Sequence, residues 1–306
     1  MMAWFRRSQR LKWAVVVASP SGEAGDQWGD TWFGRDLVDA LNRQDQNARL
    51  VYRGGANTEA RDKDDVVLVL RGLRRVTPRR AGNTWLLWVI SHPELVDDSE
   101  IAEYDETFAA SATWKQGKVS SLLQATNPQR FTPAAGTADS GERYLFVGST
   151  RGEYRPIVRD AIAAGIPLGV YGVGWSDFIS AEFIRGEFMP NDRLPAAYAS
   201  AGVVLNDHWR EMADEGFLSN RLFDAVASGA RVISDQAAGL EQVFGDAVVT
   251  YSSPESLREI LHAPLEVSFT DQASRLAYAA RIATEHSFDA RAAELIVAAK
   301  RIRDSA

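Results

Sequence analysis

Short apolar runs alternate along the chain with stretches whose apolar residues recur every three or four positions. The runs read as strands at 13–19, 48–52, 65–72, 84–91 and 106–111, then at 144–148, 167–172, 202–207, 230–235 and 247–251. Between the first two, Trp32, Phe33, Leu37, Val38 and Leu41 share one helical face, which predicts a helix over 29–44 with Asp30 as its N-cap. Apolar strands alternating with helices are the signature of α/β architecture with parallel sheets. The clearest linker is the stretch from Thr132, "TPAAGTADSGER". We expect two Rossmann-like domains, 1–136 and 137–287, facing each other across a cleft. Residues 288–306 should form a C-terminal helix packing back on the first domain, within a tail that reads as helical from Asp271 to Asp304.

Composition narrows the classes. With 306 residues, 45% hydrophobic and 25% charged, the chain is that of a globular protein of about two domains. It has no cysteine, which excludes disulfides and cysteine zinc sites and fits a cytoplasmic protein. No run approaches the ~20 apolar residues of a membrane span. The opening "MMAWFRRSQRLKWAVVVASP" reads as a first buried strand rather than a signal peptide. Trp4, Phe5, Arg6, Arg7 and Arg10 in it raise peripheral membrane contact as an alternative to a loose terminus. Charge is uneven: 18 Lys/Arg face 17 Asp/Glu before residue 137, and 16 face 24 from there on. Nucleic acid is not an expected partner on that balance. The dense basic stretch "RGLRRVTPRR" (71–80) reads as a solvated connection or as a patch for an anionic acceptor or membrane surface.

In open α/β sheets ligands sit at the C-terminal ends of strands, so residues just after strands are the candidates. "GVGW" (172–175) places Gly172, Gly174 and Trp175 there, where glycines let a ligand approach the backbone, but it is not a complete dinucleotide fingerprint. No GxxxxGK[ST] loop or GxSxG elbow is present, and His92, His208, His262 and His286 lack tight ligand spacing. "DKD" (62–64) precedes a strand and reads as a polar turn, so no metal site is expected. Arg151 and Arg155 follow the first strand of the second half and suit a diphosphate. In "EGFLSNRLFDAVASGARVISD" (215–235) Ser219 can cap a helix and Gly229 can end it. Asn220, Arg221 and Asp224 lie beside its free N–H groups. The plainer reading of Arg221 and Asp224 is a surface ion pair. His208 ends the preceding strand's polar cluster, "NDHW". In the first half, Trp28, Gly29 and Asp30 ("DQWGDTW") and His92 ("WVISHPE") hold corresponding places.

Together these motifs resemble the GT-B glycosyltransferases, in particular the CgeB-like "glycosyl transferases group 1" branch. The resemblance is best from Tyr144 to Arg303. It implies a nucleotide-sugar donor (UDP-, GDP- or dTDP-linked) on the C-terminal domain, a glycan, glycolipid or other lipid-linked acceptor on the N-terminal domain, and no required cofactor or metal. Ser219, Asn220 and Arg221 then look like the pyrophosphate-binding helix start and Asp224 like the acid that holds the ribose. Arg151 and Arg155 look like the stabilisers of the leaving diphosphate, with Gly172, Gly174, Trp175 and His208 in the same donor site. His92, with Asp30 and Arg155 as the other catalytic candidates, is similar to the histidine that contacts the transferred sugar. Trp28, Gly29, Asp30 and His92 fall on the acceptor side. Retaining relatives carry E-x7-E, whereas Glu215 and Asp224 are spaced E-x8-D, which leaves the stereochemistry open.

The implied setting is polysaccharide biosynthesis, cytoplasmic or at the inner face of the membrane. Arg155→Ala is expected to lower turnover while leaving the fold intact. A non-catalytic GT-B subunit and a nucleotide-sugar epimerase are the alternatives; a nicotinamide-dependent oxidoreductase is disfavoured by the incomplete glycine pattern.

Overall fold

The structure, a computed structural model, describes residues 10–59, 63–79, 81–136 and 141–305. One six-stranded sheet contains β1 (Lys12–Val16), β2 (Asn47–Val51), β3 (Val66–Arg71), β4 (Thr84–Val89), β5 (Glu106–Ala109) and β6 (Val119–Ser121). Its order is β2-β1-β3-β4-β5-β6, and every pairing is parallel. The second contains β7 (Tyr144–Val147), β8 (Leu168–Tyr171), β9 (Ile184–Gly186), β10 (Val203–Asn206), β11 (Val232–Asp235) and β12 (Val248–Tyr251). Its order is β12-β11-β10-β7-β8-β9, again all parallel. The longer helices are α1 (Gly29–Arg43), α2 (Pro156–Ala163), α3 (Leu194–Ser200), α4 (Asn220–Ala227), α5 (Pro254–His262), α6 (Gln272–Glu285) and α7 (Phe288–Ser305). This is a pair of Rossmann-like α/β layers, as the alternation of apolar runs and helical stretches implies.

The chain divides into two compact units: Met1–Ala109 with Lys115–Leu122 and Phe288–Ala306, and Ala110–Trp114 with Leu123–Ser287. In the first, Trp13, Trp85 and Trp88 have no exposed surface. Their size demands that the buried indole N–H groups find acceptors. Trp13 Nε1 donates to Gln46 Oε1 at 3.2 Å and Trp88 Nε1 to the Leu122 carbonyl at 2.8 Å. Phe33 of α1 meets Trp88 edge-on at 5.3 Å and Phe288 of α7 at 4.7 Å. Arg43 and Asp289 form an ion pair at 3.0 Å between the same two helices. In the second unit α4 packs on α6, and its Leu222, Phe223, Val226 and Ala227 are buried, with Phe223 against Phe244 at 4.9 Å.

Four local features differ from the expectation. Strands β6 and β9 were not foreseen: each has three residues, and β9 pairs through an irregular register, so neither leaves an apolar run to read. The N-cap of α1 is Trp28, which makes no side-chain cap bond, while Asp30 sits within the first turn, where a carboxylate also suits the helix dipole. The tail is not helical throughout. It breaks at His286–Ser287, where the His286 carbonyl accepts from Thr126 N at 2.9 Å and Ser287 bridges Thr126. Finally, Arg71 is no part of a solvated basic patch. It is buried and paired with Glu100 at 2.7 Å, and its Nη2 donates to the Leu95 carbonyl at 2.9 Å. Trp4, Phe5, Arg6 and Arg7 lie outside the described residues, as do Asp62 of "DKD" and Arg80. Asp64 of that motif pairs with Arg49 at 2.7 Å. Among the described residues no helix is long and apolar enough to cross a membrane.

Candidate functional site

In the second sheet the order reverses at β7, which lies between β10 and β8, and the C-terminal ends of β7 and β10 flank that switch point. Gly148–Arg151 follow β7, and Asp207–Trp209 follow β10. Arg155 occupies the N-cap position of α2, is 6% exposed, and forks onto Asp207: Nε to Oδ2 at 2.9 Å and Nη2 to Oδ1 at 2.5 Å. Burial pushes the Asp207 carboxyl above the usual carboxylate range, against the pull of Arg155 and Arg221. The Arg155 guanidinium lies 4.6 Å over the Trp209 ring, and exposed Arg151 lies 5.5 Å over the same indole. Arg151 reaches this position from a left-handed backbone, φ 53°.

Arg221, in the first turn of α4, turns to Asn206, to which Nη1 donates at 2.8 Å, and lies 4.9 Å over Phe146. It also hydrogen-bonds the Tyr198 hydroxyl, whose pKa burial raises to about 12 despite the nearby arginine. Burial lowers the Arg221 pKa. Its hydrogen-bond partners here are neutral, whereas Arg155 is matched by a carboxylate.

His208 is locked. Its Nδ1 meets Asp235 Oδ1 at 2.6 Å, and its Nε2 accepts the Ser219 backbone N–H at 2.9 Å. Accepting at Nε2 requires an unprotonated nitrogen there, so Nδ1 carries the proton and donates to Asp235. The imidazole has no exposed surface. Expected among the donor contacts, it holds the start of α4 through the Ser219 N–H. Ser219 takes the N-cap position, but its hydroxyl makes no cap bond. Asn220 Nδ2 donates to Asp224 Oδ2 at 2.9 Å, while Asn220 Oδ1 is buried without a partner among the described residues. Asp224 is 8% exposed and also accepts from Thr126 Oγ1 at 2.8 Å. Glu215 is exposed, and its carbonyl accepts from Ser111 Oγ at 2.6 Å and Thr113 Oγ1 at 3.0 Å.

The glycines after β8 are also required by packing. A Cβ on Gly172 would lie 2.2 Å from the Gly148 carbonyl oxygen, and one on Gly174 would lie 2.5 Å from Thr150 Oγ1. The space on the side where a Cβ would stand is taken by the neighbouring strand end. Trp175 is 1% exposed, with Nε1 donating to the Gly148 carbonyl at 2.8 Å. It ties the two strand ends together.

In the first unit Asp30 Oδ2 and Ser91 Oγ both lie 3.5 Å from where a Cβ on Gly72 would stand. The start of α1 thus meets the ends of β3 and β4. His92 follows Ser91 with a left-handed backbone, φ 55°, and its Nδ1 lies 2.9 Å from Glu94 Oε1. Trp28 is 36% exposed under the Arg53 guanidinium at 5.3 Å, and Gly29 is the exposed first residue of α1. Among the described residues no group of three or more His, Asp or Glu side chains is placed to hold a metal. Asp207, Asp235, Asn206, Tyr198 and Trp209 were missed by residue-level reading. The signal for the two aspartates was present: each ends or directly follows a buried strand run.

Residues 152–297, just under half of the chain, match the sequence model of the family described as "Glycosyl transferase-like". The match begins immediately after Arg151 and takes in the whole constellation from Arg155 to Asp235. The second unit thus carries the sequence pattern of glycosyl transferase-like proteins over most of its length. Solved glycosyltransferase structures share the fold of the chain. AviGT4, a glycosyltransferase involved in avilamycin A biosynthesis, aligns at TM-score 0.66 with 17% identity, over 97% of this chain and 99% of the other. Sucrose-phosphate synthase from Thermosynechococcus elongatus aligns at 0.66 with 14% identity, over 97% and 100%. T4 phage BGT, in complex with UDP and Mn2+, aligns at 0.60 with 11% identity, over 96% and 99%. No curated protein matches the chain in sequence. At these identities the structural likeness concerns the fold, which is the GT-B fold of two Rossmann-like domains.

Proposed function

We propose that the chain is a glycosyltransferase that moves a sugar from a nucleotide-diphosphate donor, held by its second unit, to a glycan or lipid-linked acceptor on its first, in the cytoplasm or at the inner membrane face. The observation that carries the reading is the convergence of Arg151, Arg155, Arg221 and the start of α4 on one sheet switch point. The sugar–phosphate bond breaks through an oxocarbenium-like transition state, and negative charge collects on the departing diphosphate. Preorganised cations and helix N–H groups stabilise such charge without reorganising at the moment of reaction. In this role Arg221, whose hydrogen-bond partners are neutral, supplies the charge, because that of Arg155 is already matched by Asp207. Arg155 orients the loop and Trp209. His92 and Asp30 remain the candidates on the acceptor side. This division of labour needs no divalent ion, although T4 phage BGT is described with Mn2+.

A thermal-shift titration with UDP, GDP and dTDP, each with EDTA and with MnCl2, tests the reading. One nucleotide should raise the melting temperature in EDTA. A response that needs Mn2+ would overturn metal independence, and no response to any nucleotide would overturn the donor site itself. Product analysis with the matching sugar nucleotide separates transfer from epimerisation, which would return an altered free donor.

A further inference from the structure

We propose that the first unit carries a cavity for a hydroxylated anion, a monosaccharide bearing a phosphate or a carboxylate, at the switch point of its own sheet. This names the chemical class of the acceptor and so rests on the acceptor reading above. The order β2-β1-β3 reverses at β1, and ligands of open α/β sheets gather at the C-terminal strand ends flanking such a point. A cavity of about 290 Å³ lies there, lined by Val16 and Val17 at the end of β1 and Val69 and Leu70 near the end of β3. That volume is near the lower end for small-molecule sites and suits one sugar rather than an extended glycan.

The charged part of the lining is basic. Arg53, Arg74 and Arg75 border the cavity, and among the described residues no acidic one does. Arg75 is matched by Glu103 at 2.8 Å. Arg53 has neutral partners: its Nε donates to the Ala18 carbonyl at 2.7 Å, and its guanidinium lies over Trp28. Arg74 is exposed and forms no ion pair among the described residues. Beside an apolar floor, unmatched guanidinium groups attract an anion more strongly than they would in open water. Asn57 adds specificity. Its Nδ2 donates to the Thr77 carbonyl at 3.0 Å, whereas its Oδ1 is buried without a partner among the described residues. A buried acceptor of this kind calls for a donor, which a sugar hydroxyl supplies and a fully ionised anion does not. The apolar floor suits the face of a sugar ring.

Ligand-observed NMR titrations of the whole chain without nucleotide test this, using glucose 6-phosphate, glucuronate, glucose and inorganic phosphate. At least one anionic sugar should bind about tenfold more tightly than glucose and than phosphate, and Arg74→Glu should remove about that factor while Arg74→Lys keeps most of it. The phosphate and carboxylate arms show which anion is taken. Glucose or phosphate binding as well as the tighter of the two anionic sugars, or Arg74→Glu binding like the wild type, would each overturn the proposal. UDP binding by the wild type, measured separately, decides the donor reading, so the two can fail independently.

Discussion

Arg155 and Asp207 hold each other in a place where neither charge would stay alone. Both are nearly inaccessible, and the fork between them satisfies the carboxylate on both oxygens. Removing one partner of such a pair leaves an uncompensated buried charge, so Arg155→Ala should cost about 3–5 kcal/mol of stability. This reverses the expectation that the substitution leaves the fold intact. Denaturant unfolding of Arg155→Ala against the double variant Arg155→Met/Asp207→Leu checks it: the double variant should recover most of the loss. Equal stability of Arg155→Ala and wild type would show the pair to be inert. The types and neighbourhood of the site residues were legible in the sequence, because strand ends and a helix start announce themselves. Their partners were not. Arg155 meets Asp207 from 52 positions away, and the His208–Asp235 contact joins two different strand ends. Such pairings follow from sheet order, which periodicity does not encode.

Strand ends β7 and β8 are fastened to each other more tightly than strand pairing alone requires. Gly148 N donates to the Tyr171 carbonyl at 2.8 Å, Thr150 N to the Val173 carbonyl at 3.1 Å, and Trp175 Nε1 closes the arrangement on Gly148. Gly172 permits this approach with φ 149°, a backbone that side chains disfavour. Gly172→Ala would press a methyl group onto a backbone oxygen, and a loss of about 1–3 kcal/mol is expected in chemical unfolding. An unchanged midpoint would mean that the loop moves aside freely. At this scale the apolar runs reported the long strands well, since strands buried on both faces are continuous in hydrophobicity. They were silent on β6 and β9, whose three residues draw their place from a neighbour's backbone rather than from their own side chains.

The two units differ in how the chain builds them. The second is almost one continuous segment, Leu123–Ser287 with Ala110–Trp114, whereas the first needs α7 from the far end of the sequence. Phe288, 2% exposed, places its ring against Phe33, and Leu295 and Ala299 are fully buried beside it. Phe288→Ala should therefore destabilise the first unit by about 3–5 kcal/mol. Hydrogen exchange should show faster opening of amides in β3 and β4, with those of β10 and β11 little changed; the opposite pattern would assign the helix to the second unit. The arrangement also bears on synthesis. Domains fold as units while the chain emerges, ordinarily from the N-terminus onward. Here β1 to β6 are made early but lack the helix that covers Phe33 until residues 288–305 have left the ribosome, by which time all of the second unit is available. The half of the molecule that is translated first is the half that completes its folding last.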